Sequence, residues 1–185
     1  MTFQITLLVA VLLLVVSKVV AIIHLNLSET LYFDLDRLIA LIIFLGVYHQ
    51  WSRSKFNSKP YLLLAISGVL ISSLATLFGI AFEKMLILFF MTAFVEEILL
   101  RGVLFELLLK KLTPKVTLVS TSVFFTLVHP AIYSNALYGL AVLMTGLLLG
   151  FTYLFFRNQN REMAIVYVTI LHGFIILSGL LLGVL

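Results

Sequence analysis

The sequence predicts an all-α fold: a polytopic integral membrane bundle of about seven transmembrane helices, with a cytoplasmic N-terminus. Three observations predict it. Of the 185 residues, 63% are hydrophobic and 11% are charged, against about half and about a quarter in a soluble domain. The apolar residues fall in runs close to the ~20 residues that a helix needs to cross a bilayer. The basic residues collect in alternate connections between those runs.

The first run covers residues 3–23. It has no basic leader, and its apolar stretch exceeds the ~7–15 residues of a signal-peptide core, so it reads as a retained helix. A short second span covers 37–51, and WSRSKFNSKP (51–60) follows, ending at Pro60, which can open the third span at 61–82. The fourth covers 86–109. In KKLTPK (110–115), Thr113 can cap and Pro114 can begin the short fifth span at 115–130. The sixth and seventh cover 136–156 and 162–184, separated by RNQNRE (157–162). No stretch between spans is long enough to bury a core, so residues 1–185 read as a single transmembrane domain.

Arg53, Lys55, Lys59, Lys110, Lys111, Lys115, Arg157 and Arg161 fall on one side of this arrangement. Arg37 and Lys84 fall on the other, beside Glu29, Asp34, Asp36 and Glu83. The positive-inside rule places the first set in the cytoplasm, as expected for a multi-pass protein of the cell membrane. The net charge of +4 is too small and scattered to point to nucleic acid. With no cysteine in the chain, disulfides, thiol catalysis and Cys-ligated zinc are excluded.

Within the fourth span, FVEEILLRG (94–102) carries two carboxylates and a guanidinium. A charge at a helix centre costs about 2.5–3.5 kcal/mol on the insertion scale. Glu97 and Arg101 are four apart and can pair on one face. Glu96 points elsewhere and needs water, a proton or a neighbour. His24 and His49 lie near span ends, where histidine is ordinary. His129 and His172 lie deep. Glu96 is fourteen residues from Lys110, His129 fourteen from Lys115, and His172 eleven from Arg161. At 1.5 Å per residue all three lie roughly 16–21 Å from the basic loops. Three polar groups on three helices at one depth point to a shared site, although intramembrane Glu, Arg and His also serve as interhelical hydrogen-bond glue.

A carboxylate beside an imidazole can deprotonate water, and a second imidazole can donate to an oxyanion. That set describes amide hydrolysis without a covalent intermediate. Glu96, His129 and His172 could also ligate a divalent metal such as zinc. HExxH is absent, and metal-free chemistry is favoured, with no cofactor expected.

These residues resemble a known family. Glu96-Glu97-x-x-x-Arg101 looks like the EExxxR motif of the CPBP membrane proteases, which include CAAX prenyl proteases and bacteriocin-processing or self-immunity proteins. Phe125-x-x-x-His129 is similar to the family's FxxxH, and His172 matches the histidine of a third motif, often HxxxN. The resemblance covers about residues 85–180, which would form the catalytic core. It implies a glutamate-dependent intramembrane endopeptidase acting on a peptide or membrane-protein substrate. Glu96 and His129 would activate water, His172 would stabilise the oxyanion, and Glu97, Arg101 and Phe125 would support the geometry. One departure stands out: Ile176 occupies the position of the asparagine, and its side chain cannot donate a hydrogen bond. Two other readings stay open. One is a non-catalytic self-immunity or peptide-binding membrane protein, which Ile176 favours. The other is a proton-coupled transporter, although no inverted repeat is visible.

The remaining features read as structural. Gly146 with Gly150, and Gly179 with Gly183, are GxxxG pairs suited to packing within the bundle, and Gly102 can admit a neighbouring helix. Pro130 either simply ends the fifth span early or lines a water-holding cavity. Lys18 can snorkel. Tyr32, Tyr48, Trp51 and Tyr61 read as interfacial anchors. Glu106 can line an entry path, but a solvated headgroup position is the stronger expectation.

Overall fold

The computed structural model describes residues 58–129 and 135–183; the spans placed at 3–23 and 37–51 lie outside them. The described residues belong to one unit, Phe56–Leu185, and are helical with short turns. Helix α1 is Ser58–Thr76. Helix α2 runs without a break through five stretches: α-helical Phe82–Ile87, wide π-helical Leu88–Phe94, α-helical Val95–Glu97, π-helical Ile98–Phe105 and α-helical Glu106–Leu109. Helices α3, α4 and α5 are Pro114–Leu127, Ala136–Arg157 and Arg161–Leu181. By length and composition, α1 from Lys59, α4 and α5 can each cross a membrane.

Local chemistry fixes the ends. The Thr113 side chain accepts from Val116 N and Pro114 is the first helical residue, as the sequence predicts. Asn135 and Asn160 cap α4 and α5 by accepting from Tyr138 N and Met163 N. Helix α1 stops six residues before the predicted end of its span at 82. Gly79 has φ +78, Gly79 N donates to Thr76 O and Ile80 N to Ala75 O. These two bonds form a Schellman ending, which needs a left-handed residue that glycine supplies without strain. Helix α3 ends at Leu127, before Pro130, because the residue preceding a proline is pushed out of helical geometry.

Helix α5 packs against α1, α2 and α4, and α3 packs against α4 and the second half of α2. One core lies where α1, the first half of α2 and α5 meet, among Leu64, Ile71, Met85, Phe89, Val166, Ile176 and Leu177. Phe89 is fully buried. A Cβ on Gly68 would sit 2.9 Å from its ring and one on Gly173 2.6 Å from it. Lipid tails are as apolar as these side chains, so such close approach, rather than escape from water, holds the helices together. Gly146 and Gly150 do the same for α3 and α4: a Cβ there would lie 3.2 Å from Ser122 Cα and 2.5 Å from Leu118 Cδ1. Gly179 is buried, but Gly183 lies past the end of α5 at φ +66, so that pair is not a packing stripe. The opposite face of α4 exposes Leu137, Leu140, Met144, Leu148, Phe151 and Phe155. A helix apolar all round is one surrounded by lipid and neighbours.

The π-helical winding of α2 shapes the polar interior. Its hydrogen bonds close at i→i+5, which brings residues five apart back towards one face. Glu97, Arg101 and Glu106 are all buried. This corrects the expected solvated position of Glu106. Its Oε1 accepts from Tyr153 Oη at 2.9 Å and Arg157 Nε at 2.7 Å. Its Oε2 accepts from Arg157 Nη2 at 3.0 Å and lies 3.4 Å from Arg161 Nη2. Counting along an ideal helix places Glu106 near an exposed end; the wider turn rotates it onto α4. Tyr153→Phe removes one donor to this buried carboxylate and should lower stability by about 1.5–3 kcal/mol, read by thermal unfolding of the purified protein in detergent; an unchanged midpoint would show that the arginines alone satisfy Glu106.

Candidate active site

Glu97 and Arg101 are held side by side on α2 and are completely buried. Arg101 Nη1 donates to Glu97 Oε1 at 3.1 Å, the pair that the four-residue spacing predicts. Arg101 Nη2 donates to the backbone carbonyl of Gly146 on α4 at 3.2 Å. The missing side chain of Gly146 thus lets α3 approach α4 and leaves a carbonyl within the guanidinium's reach. His172 on α5, also buried, places Nδ1 at 2.9 Å from the same Glu97 Oε1. A carboxylate held by a guanidinium is an acceptor, so Nδ1–H donates. With Nδ1 carrying a proton, the neutral ring has Nε2 as an acceptor, and a second donor there needs the imidazolium.

Phe125 on α3 joins the remaining parts. Its buried ring lies 5.0 Å from Arg101 Cζ, a cation–π arrangement. The same ring is 6.0 Å from the His172 ring and 4.5 Å from the His129 ring. His129 lies just past the end of α3, and its Nδ1 is 2.6 Å from Phe125 O. A carbonyl only accepts, so Nδ1 carries the proton and Nε2 is the basic nitrogen of the neutral ring. Orientation by a backbone carbonyl is a common way to fix the tautomer of a working histidine.

The structure therefore gathers Glu97, Arg101, Phe125, His129 and His172 from three helices around one ring. Glu96, next to Glu97, is half-buried and close enough to Tyr138, in the first turn of α4, for its charge to be felt there. Sequence reasoning missed Tyr138 and the Gly146 carbonyl. The GxxxG pattern flagged the glycine as a packing residue, but a backbone acceptor carries no residue signature. Among the described residues, no three His, Asp or Glu side chains are grouped to hold a metal ion. Ile176, one turn beyond His172, lies in the apolar core with Met85, Phe89 and Leu177.

Two outcomes follow from this geometry. Arg101→Met leaves the Glu97 charge buried without its cation and should cost about 3–5 kcal/mol. Adding Glu97→Gln should recover part of that loss, so a double-mutant cycle in thermal unfolding should give strong non-additivity; simple additivity would mean that the pair is not coupled. Ile176→Asn places an amide among apolar side chains and should destabilise the fold by about 1–3 kcal/mol. A fully stable Ile176→Asn protein would instead show that this position reaches polar surroundings.

The sequence profile described as "Type II CAAX prenyl endopeptidase Rce1-like" matches residues 78–178, more than half of the chain. No curated protein and no solved structure gives a significant match. The matched stretch contains the whole constellation around Phe125 and all of α2, α3 and α4, and on that match the chain belongs to the Rce1-like family of type II CAAX prenyl endopeptidases.

Proposed function

We propose that this membrane protein is a glutamate-dependent intramembrane endopeptidase that cleaves a peptide bond with an activated water. Glu96 and His129 take the proton of the water. The resulting hydroxide attacks the substrate carbonyl, and the proton is returned to the leaving amine as the C–N bond breaks. His172, as the imidazolium, donates from Nε2 to the oxyanion. Glu97 and Arg101 are positioning residues: Glu97 holds His172 at Nδ1, and Arg101 holds Glu97. Phe125 packs the two imidazoles into one site. The proposed chemistry is metal-free and needs no cofactor. The observation that carries this reading is the Glu97–His172 hydrogen bond, which links the acidic motif on α2 to an imidazole on α5.

The family's description names prenylated CAAX substrates. For this chain the proposed substrate class is a peptide or membrane-protein segment, prenylated or not, reached within the cell membrane from the side of Lys110, Lys111, Lys115 and Arg157, taken as cytoplasmic by the positive-inside rule. A second reading, a non-catalytic peptide-binding or self-immunity protein, is favoured by Ile176, which lies in the apolar core and brings no hydrogen-bond donor to the site.

The deciding experiment uses the full chain in lipid nanodiscs with prenylated and unprenylated reporter peptides. Glu96→Gln and His129→Ala, made separately, should each lower kcat by about 10²–10⁴-fold while insertion and thermal midpoint hold. Undiminished cleavage in both variants would sink the mechanism; immunity that survives both changes without any hydrolysis would establish the non-catalytic reading.

A further inference from the structure

Glu106 on α2 is buried and held from two other helices. Its carboxylate accepts from Tyr153 Oη and Arg157 Nε on α4 at 2.9 and 2.7 Å, and from Arg157 Nη2 at 3.0 Å. Arg161 Nη2, in the first turn of α5, lies 3.4 Å from it. Phe105, the last residue of the π-helical stretch, is fully buried, with its ring centroid 5.4 Å from that of Tyr153. The catalytic steps use none of these groups, although Glu106 lies on the same helix as Glu97.

Helices α4 and α5 act as rulers for α2, because both are α-helical throughout. On α4, Gly146 and Tyr153 are seven residues apart, so they lie about 20° short of two full turns and share a face. That face meets α2 twice, the Gly146 carbonyl at Arg101 and Tyr153 at Glu106. On α5, Arg161 and His172 are eleven residues apart, about 20° past three full turns. This face also meets α2 twice, at Glu106 and at Glu97. Regular α winding does not present α2 in this way. Arg101 and Glu106, five apart, would point about 140° from each other, and Glu97 and Glu106, nine apart, in roughly opposite directions. The π-helical stretch Ile98–Phe105 removes the conflict: with hydrogen bonds closing at i→i+5, each step of five residues is about one turn. Such winding is rare and mostly confined to single turns, so eight residues of it need contacts that hold both ends.

We propose that Glu106 is a positioning residue for the site around Phe125: its hold on α4 and α5 keeps α2 π-wound and so keeps Glu97 turned towards His172. The Glu97–Arg101 pair fixes one end of the wound stretch, and the Glu106 cluster fixes the other. Without the Glu106 charge, Arg157 and Arg161 lose their counter-charge and the far end is released. The stretch then relaxes towards α winding, α2 turns against α5, and the 2.9 Å bond from His172 Nδ1 to Glu97 opens. The consequence for cleavage rests on the peptidase reading; the coupling between the two carboxylates does not.

The test reads the His172 ring directly. Nitrogen NMR of the full chain in lipid nanodiscs should show a hydrogen-bonded Nδ1–H on His172, assigned by its absence in His172→Gln. Glu106→Gln should lose that signal. Arg157→Lys keeps the charge but gives up the two-pronged hold on Glu106, and should weaken the signal. Leu64→Ala, in the apolar core on α1, destabilises the bundle away from Glu106 and should leave the signal in place. An unchanged signal in Glu106→Gln overturns the proposal; should that variant fail to fold, an unchanged signal in Arg157→Lys does so. Loss of the signal in Leu64→Ala also overturns it, because the signal would then report only general destabilisation. With the reporter peptides, Glu106→Gln should lower kcat about 10²-fold with KM held, the scale of a displacement of about 1 Å. A signal lost while kcat holds leaves the coupling standing and counts against the peptidase reading, so the two failures are told apart.

Discussion

A guanidinium buried in apolar surroundings constrains everything around it. Arg101 cannot shed its charge, so each neighbour is arranged to accommodate it: Glu97 on its own helix, the Gly146 carbonyl on α4 and the face of Phe125 on α3. These contacts tie three helices at one level of the bundle. They also fix Glu97, and through Glu97 the ring of His172 on α5. The geometry of the candidate active site is therefore a by-product of solving one electrostatic problem. One cation and one aromatic ring set the positions of two imidazoles.

Small residues make this possible. With no hydrophobic force between helices in lipid, contact must come from surfaces that fit. Gly68 and Gly173 flank Phe89, and Gly146 and Gly150 bring α3 against α4. Around that frame α2 departs from regular winding over Leu88–Phe94 and Ile98–Phe105. Wide turns of this kind often occur at functional sites. Here they bring Glu106 round to Tyr153 and Arg157, so the helix carries a second buried charge cluster near its end.

Much of the fold was legible because its signals are local. Apolar run length located the described spans, and Thr113 with Pro114 marked the start of α3 correctly. Gly79 was a readable stop for α1, but the apolar residues around it masked the turn. The Glu97–Arg101 pair followed from spacing alone. That Glu97, the second of the two glutamates, would hold His172 was not legible, because rotation about α2 depends on winding that sequence periodicity does not encode. The burial of Glu106 escaped for the same reason. Ile176 was visible as a departure from the family's motif, but its membership of the α1–α2–α5 core depends on packing.

The charge content of α2 also bears on how the chain is assembled in the bilayer. Glu96, Glu97, Arg101 and Glu106 lie on one helix, while their partners His172, Arg157 and Tyr153 lie on helices made afterwards. Until those helices emerge from the ribosome, only the Glu97–Arg101 contact within α2 offsets the expense of exposing these groups to lipid. Partitioning α2 alone into the membrane is thus unfavourable, and the helix is best retained at the insertion machinery until α4 and α5 arrive. The charges buried within the bundle therefore make its biogenesis a concerted event, in which the last of the described helices releases the ones before it.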